Sequence, residues 1–402
     1  MSDSQQPTRQ HYWDPLRALL MLLGIPYHAS LLYSETITWD IKANETSTFL
    51  TVLGGAIVTF RMPAFFLIAG YFSLMIIEKK GCKVWLKSRL IRLGIPFVTA
   101  LLLLAPPQLL LIELARAAKG NISLDAALTN ALDAIMHPSV HWIMHLWFLP
   151  ALLIYSAALA TLWRLSTTPI FLPVKAAYKK LSGTSPSLTL FLVCAAPVAW
   201  EMLVYSTATL AQQSGNALLQ VYDKASDPYV RYALFYLVGT LLYADKPLLH
   251  RFRQTEALTA LVALAAIIVT LYLRWHPFTG RDAALLFASS IAAISVTRCL
   301  LDYSSRHLDA PNAFVRNVTD ASLTIYLLHH PLIYAFGTLF LIVNISPFME
   351  FSITVLATAG LAYAAHQLIK RSRTALFLFN GVSDQRSRAE CPATISTGNT
   401  LR

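Results

Sequence analysis

Long apolar runs broken by short polar connections repeat along this chain, and about 20 apolar residues in a row is the length a helix needs to cross a bilayer. Read on that length, the sequence predicts ten membrane spans, at 15–34, 49–77, 94–114, 143–163, 188–208, 229–244, 256–273, 283–302, 318–343 and 351–369. The predicted fold class is therefore an all-α polytopic membrane helix bundle. One transmembrane domain, 1–380, is expected, followed by a polar segment, 381–402, expected to be a disordered cytoplasmic tail.

The first run, DPLRALLMLLGIPYHASLLYS from Asp14 to Ser34, is interrupted by Asp14, Arg17 and His28. A charge near the bilayer centre costs at least ~2.5 to 3.5 kcal/mol on insertion scales, so such residues face protein or water and mark functional paths. Arg17 and His28 are eleven positions apart, and eleven steps of about 100 degrees return a helix almost to its starting face. They share a stripe, roughly 16 Å apart along the axis, one near a membrane surface and one buried. Asp14 precedes Arg17 by one turn and can pair with it. Pro26 removes a backbone donor two residues before His28 and is expected to bend the helix.

Further ionisable residues recur inside later runs. Arg61, in TFRMPAFFLIAGYFS, lies close to mid-membrane and needs an acid, carbonyls, water or an anionic ligand; Gly70 in the same run permits close helix approach. Arg89 and Arg92, in KKGCKVWLKSRLIR, are spaced to aim two forked guanidiniums at one place beside a membrane entry point, which suits phosphate groups. His329 sits near the midpoint of the ninth span, one turn after Tyr326. Adjacent helical residues point about 100 degrees apart, so one of His329 and His330 is expected to share a cavity with His28, and His329 is preferred. His330 and His366 are read as hydrogen-bonded bundle residues. Glu201 and Arg231 either line an outward cavity or pair with each other. His137, His141 and His145 are spaced by four, but Pro138 breaks the turn and no Cys or carboxylate joins them at ligand spacing, so interface packing or sugar contact is expected and no metal.

Composition agrees with a membrane protein and narrows the alternatives. Of 402 residues 56% are hydrophobic and 13% charged, against about 25% charged in soluble domains, and the mean hydropathy is +0.53. The net charge of +11 suggests nucleic acid at first sight, but the basic residues are sorted by loop. With the N-terminus inside, the inside segments hold 22 Lys and Arg, the outside loops 6 and the spans 4. That sorting fits ten helices with both ends cytoplasmic and excludes a nucleic-acid partner. The polar start lacks the basic cluster and uninterrupted core of a cleavable signal, so the first span is expected to be retained. Cys82, Cys194, Cys299 and Cys391 are scattered and form no metal or disulfide pattern.

A buried imidazole in a water-accessible pocket is the usual base for activating a hydroxyl. The signatures GxSxG, HExxH and GxxxxGK[ST] are absent. Two functions fit these residues: a membrane-embedded His transferring a group from an anionic cytoplasmic donor, or a transporter relaying protons. No inverted repeat is visible, which tilts the reading toward transfer.

The segments DPLRALLMLLGIPYHASLLYS, FRMPAFFLIAGYFS, WLKSRLIRLGIP, HLWFLP and IYLLHHPL, in this order, resemble the acyltransferase-3 superfamily of membrane acyltransferases along nearly the whole chain. Within it, the chain is most similar to members that succinylate osmoregulated periplasmic glucans. The resemblance implies an O-acyltransferase of the bacterial inner membrane with succinyl-CoA as co-substrate, no permanently bound cofactor, and a periplasmic glucan acceptor. It implies His28 as the catalytic histidine, Arg61 and His329 as further catalytic-site residues, and Arg17, Arg89 and Arg92 as acyl-donor ligands. Asp14 and Tyr326 would support them, and Glu201, Arg231 and His145 are acceptor-side candidates. Met62 stands where many members carry a second arginine, and no appended esterase-like domain is expected, since about 30 residues follow the tenth span.

Overall fold

The computed structural model describes residues 11–216, 229–343 and 345–382. These residues are helical and loop structure, with no strand among them. Eight helices are long and apolar enough to cross a membrane among the described residues. The two remaining predicted spans are shorter. The first divides into α1, Trp13–Leu22, and α2, Gly24–Leu31, with the break at Leu23. Pro26 has no N–H to give the Leu22 carbonyl one turn before it, and the interruption at Leu23 falls within that turn, where a proline is expected to disturb a helix.

The centre of the bundle is α3, Thr48–Lys80, which begins at Ser47, whose Oγ accepts from the Leu50 amide, and ends at Gly81 with φ 80°. A short helix α4, Cys82–Arg89, runs through a π-helical turn, Leu90–Gly94, into α5, Ile95–Ala118. A surface helix α6, Leu124–Met136, occupies the connection predicted to be the longest outer one, ahead of α7, Phe148–Leu165. Then come α8, Leu172–Thr184, and α9, Pro186–Gln213. The sixth predicted span is the 12-residue α10, Ala233–Ala244, followed by α11, Lys246–Arg253. The long helices α12, Ala257–Trp275, α13, Arg281–His307, α14, Ala313–Phe340, and α15, Pro347–Ile369, lead to a short α16, Arg373–Asn380.

Two glycines let α3 and α10 touch backbone to backbone. A Cβ on Gly70 would overlap the Tyr236 carbonyl, and one on Gly239 would overlap the Leu67 carbonyl. Small residues at facing positions are how helices approach closely where lipid, not water, surrounds them. α14 packs against α1, α2, α5 and α15, and α3 against α1, α2, α10 and α13. The split first span is thus wedged between the two helices that carry Arg61 and His329. The last helix closes the basic end of the bundle. Thr324 donates its hydroxyl to Asn380 Oδ1 at 2.8 Å, and its Oγ1 lies 2.9 Å from His366 Nδ1. Gly381, at φ 61°, lies so close to the π-helical turn that a Cβ there would stand 2.5 Å from Arg92 Cα. The tail expected from 381 onward falls mostly on 383–402, outside the described residues, as does Cys391.

Candidate active site

α2 carries His28 into a group of four histidines contributed by three parts of the chain. The His28 ring centroid lies 5.2 Å from that of His329 and 5.0 Å from that of His330, both on α14. His145, just before α7, is 5.2 Å from His329 and stacks on His330 at 4.3 Å. The side chains of His329 and His330 diverge by about 100 degrees, and of the two only His329 lines the small cavity that His28 lines, as the angular argument expects, although the His28 ring lies near both.

Each ring is held differently. His329 Nδ1 lies 2.6 Å from the Tyr326 carbonyl, so it carries the proton and donates, which leaves Nε2 with its lone pair. That Nε2 is buried with no hydrogen-bond partner among the described residues, as is His28 Nδ1. His330 donates Nδ1–H to Gln108 Oε1 at 2.7 Å, while Gln108 Nε2 donates to the Leu104 carbonyl at 2.7 Å. His145 is 5% exposed and both its ring nitrogens lack partners. Its backbone carbonyl accepts from the Tyr326 hydroxyl at 2.5 Å. Tyr326 therefore fixes two of the four histidines at once, through its carbonyl and its hydroxyl.

His145 reaches the group through a strained turn. Met144, between two short 3₁₀ turns, has φ 41°, the one non-glycine with positive φ among the described residues. A bulky side chain in that region costs of order 1–3 kcal/mol and persists only where the surroundings impose it, typically at functional sites.

A cavity of about 170 Å³ lies beside the histidines, lined among others by Gly24, Tyr27, His28, Arg61, Tyr326 and His329. The Arg61 guanidinium lies 4.9 Å from the Tyr27 ring centre, and its Nη2 is 3.6 Å from Met62 Sδ. Its Nε is buried without a partner, and it forms no ion pair among the described residues. Gly24 makes room for it: a Cβ there would stand 2.6 Å from Arg61 Nη1 and 3.6 Å from His329 Nε2. A fixed cation with spare donors next to unpartnered ring nitrogens can bind an anion or a developing oxyanion while a proton is removed alongside.

The second cationic group lies toward the basic end. Arg89 Nη2 donates to Ser73 Oγ at 3.0 Å, and Ser73 is twelve residues after Arg61 on α3, roughly 18 Å along its axis. Arg17 lies with its guanidinium 5.1 Å from the Phe72 ring centre and is within electrostatic reach of Asp14, Arg89, Arg92 and Asp320. Three arginines from two separate sequence motifs thus share one end of the bundle, Arg92 being the exposed member.

The other candidates lie elsewhere. Glu201 and Arg231 form an ion pair at 3.8 Å and do not line that cavity. His366 is bonded to Thr324 as a bundle residue. His137 pairs with Asp133 at 3.0 Å, and His141 lines a separate cleft. No group of three or more His, Cys, Asp or Glu is arranged to hold a metal ion among the described residues, and Cys82, Cys194 and Cys299 are free thiols. The apolar pattern singles out none of Gln108, Trp39 and Tyr27. Trp39 stacks on His28 at 6.0 Å and meets His330 edge-on at 5.4 Å, covering the histidines from the α2–α3 connection.

An acyltransferase domain family matches residues 10–367, nearly the whole chain. The chain belongs to the acyltransferase-3 family. Among this family's curated members, Glucans biosynthesis protein C of Salmonella heidelberg (strain SL476) is 30% identical over 391 residues, 95% of this chain and 97% of that protein. Its counterpart from Salmonella typhimurium (strain LT2) is 30% identical over 381 residues, 93% of this chain and 95% of that protein. No solved structure matches. With its apolar helices, this acyltransferase-3 protein is a multi-pass membrane acyltransferase.

Proposed function

We propose that this acyltransferase moves a succinyl group from succinyl-CoA, bound at the cytoplasmic face of the bacterial inner membrane, to a glucose hydroxyl of an osmoregulated periplasmic glucan. The observation that carries the reading is the pairing of unpartnered ring nitrogens, His28 Nδ1 and His329 Nε2, with the unpaired Arg61 at one small cavity. The three arginines about a half-membrane away along α3 supply the complementary feature. The glucan acceptor is suggested by the name of the Salmonella relatives, and the succinyl group by the sequence resemblance.

On this reading Arg17, Arg89 and Arg92 hold the donor's phosphates, and the long pantetheine arm runs inward to place its thioester beside His28. His28 takes the proton from an acceptor hydroxyl as its oxygen attacks the thioester carbonyl. Arg61 stabilises the negative charge that develops on the carbonyl oxygen. Collapse of the tetrahedral intermediate forms the ester, breaks the carbon–sulfur bond, and returns the proton from His28 to the departing thiolate. His329, its tautomer set by Tyr326, offers a second lone pair that orients the hydroxyl.

The test is transfer by purified protein in lipid nanodiscs, with labelled succinyl-CoA, labelled acetyl-CoA and a glucan acceptor, read by mass spectrometry of the glucan. Succinyl ester on the glucan is the expected product. Exclusive use of acetyl-CoA would reassign the acyl group. Solute flux across proteoliposomes with no ester formed would replace the enzyme by a carrier.

A further inference from the structure

A second cavity, of about 560 Å³, opens at the end of the bundle opposite the three arginines, with Asp40, Ser139, His141, Trp142, Met144, Trp147 and Tyr229 in its lining. Its size falls within the ~300 to 1,000 Å³ of sites that take whole organic ligands, whereas the 170 Å³ cavity beside His28 falls below it. The substrate that reaches the histidines must therefore be held largely elsewhere.

Two features join the cleft to the histidine group. Trp147 lines both cavities. Asp40, in the cleft, follows directly on Trp39, which stacks on His28. Met144 also lines the cleft, and its strained φ is what lets one short segment place His141 in the cleft and His145 among the histidines.

The lining has the chemistry of a neutral polyol site. Trp142, Trp147 and Tyr229 offer flat apolar faces of the kind that match the C–H face of a pyranose ring. Asp40 is fixed because the Tyr334 hydroxyl donates to its Oδ2, which leaves Oδ1 to accept from a sugar hydroxyl. His141 is exposed, and only its backbone amide is used, by Ser139 Oγ. The adjoining connection carries Glu35, Asp40 and Glu45, which disfavours a polyanion. Its nearby lysines are engaged: Lys42 donates to the Ser34 and Ile37 carbonyls, and Lys119 donates to the Ala43 carbonyl.

We propose that this cleft is the carbohydrate acceptor subsite, holding uncharged sugar residues of the acceptor with Asp40 and His141 as specificity-determining contacts, so that one hydroxyl passes Trp147 toward His28. The inference rests on the acyl-transfer reading for its substrate, but binding to the cleft is measurable without transfer.

The experiment uses the full chain in nanodiscs and neutral linear glucose oligosaccharides as the probe. Wild type, Asp40→Asn and His141→Ala are compared by saturation-transfer NMR, then in the transfer assay. Binding by wild type is expected, with the acceptor KM raised about ten-fold in each variant while the succinyl-CoA KM stays within about two-fold. His141→Gln, which keeps a hydrogen-bonding group, should recover part of the loss. Wild type that transfers normally, with variants of unchanged acceptor KM, overturns the cleft assignment and leaves the acyl-transfer reading standing. Wild type that binds the oligosaccharide with loss of binding in the variants, yet shows no transfer from any acyl-CoA, supports the cleft and removes the acyl-transfer reading. Absence of oligosaccharide binding by wild type overturns the cleft.

Discussion

His28 and His329 face each other with ring centroids 5.2 Å apart, and each presents a buried nitrogen that no group among the described residues engages. In His329 that nitrogen is unprotonated because the other donates to the Tyr326 carbonyl. Burying polar atoms without partners costs roughly 1–3 kcal/mol each. Two of them beside a cation without an acid form a site built to receive something polar.

Gly24 sets how near Arg61 comes to this pair. Gly24→Ala places a methyl 2.6 Å from Arg61 Nη1, and the flexible guanidinium yields rather than the helix. The expected result is a folded protein whose kcat falls about ten-fold or more while the donor KM changes little, because Arg61 is needed most in the transition state. Steady-state kinetics on the nanodisc protein, with a thermal melt as control, checks this.

Arg89 and Arg92 act at a distance from the chemistry. Arg89→Ala and Arg92→Ala should each raise the succinyl-CoA KM about ten-fold with kcat nearly unchanged, and the effect should shrink as salt rises. Dephospho-CoA thioesters, lacking one phosphate, should show a smaller mutant effect than succinyl-CoA.

The backbone contact between α3 and α10 is a stability feature. Gly70→Ala and Gly239→Ala each force a methyl into a carbonyl, Tyr236 and Leu67 respectively. Overpacking of this kind costs about 1–3 kcal/mol. Both variants should melt several degrees lower in the same detergent, whereas Gly183→Ala, which meets nothing, should not.

Asp245 caps α11 through the Leu248 amide at 2.8 Å and accepts from Tyr178 at 2.7 Å and Ser182 at 3.0 Å. Burial raises its carboxyl, but these donors and the Arg251 charge outweigh it and hold it below the usual aspartate range. A carboxyl lowered on folding stabilises the protein above its unfolded value of about 3.9, and that contribution is lost as pH falls through the folded value. Asp245→Ala should cost about 0.5–2 kcal/mol at neutral pH. The gap in melting temperature from wild type should narrow as pH falls through the folded value, where the wild-type carboxyl becomes neutral.

Hydropathy gave the long helices, because their runs exceed a bilayer's thickness, and it gave the grouping of Arg17, His28, Arg61, Arg89 and His329, because ionisable residues stand out in lipid-like surroundings. It overstated α10, whose regular part is 12 residues, whereas Pro26 marks the interruption of the first span at Leu23. The angular preference for His329 over His330 holds for the cavity, which His329 lines and His330 does not, while the His330 ring still lies near His28. His145, grouped with His137 and His141 by its spacing, follows a positive φ at Met144 that nothing in a methionine announces. Gln108 and Trp39 are ordinary residues in sequence, and only the long-range contacts of α5 and the α2–α3 connection reveal them.

The central claim is that His28 removes the acceptor's proton. The most direct test is labelled succinyl transfer under saturating donor by wild type, His28→Ala and His28→Gln, with His366→Ala as a histidine bonded elsewhere in the bundle, each verified as folded by its melt. The account predicts a fall of about 10²- to 10⁴-fold for both His28 variants and near-normal transfer for His366→Ala. Folded His28 variants that turn over at the wild-type rate would contradict it.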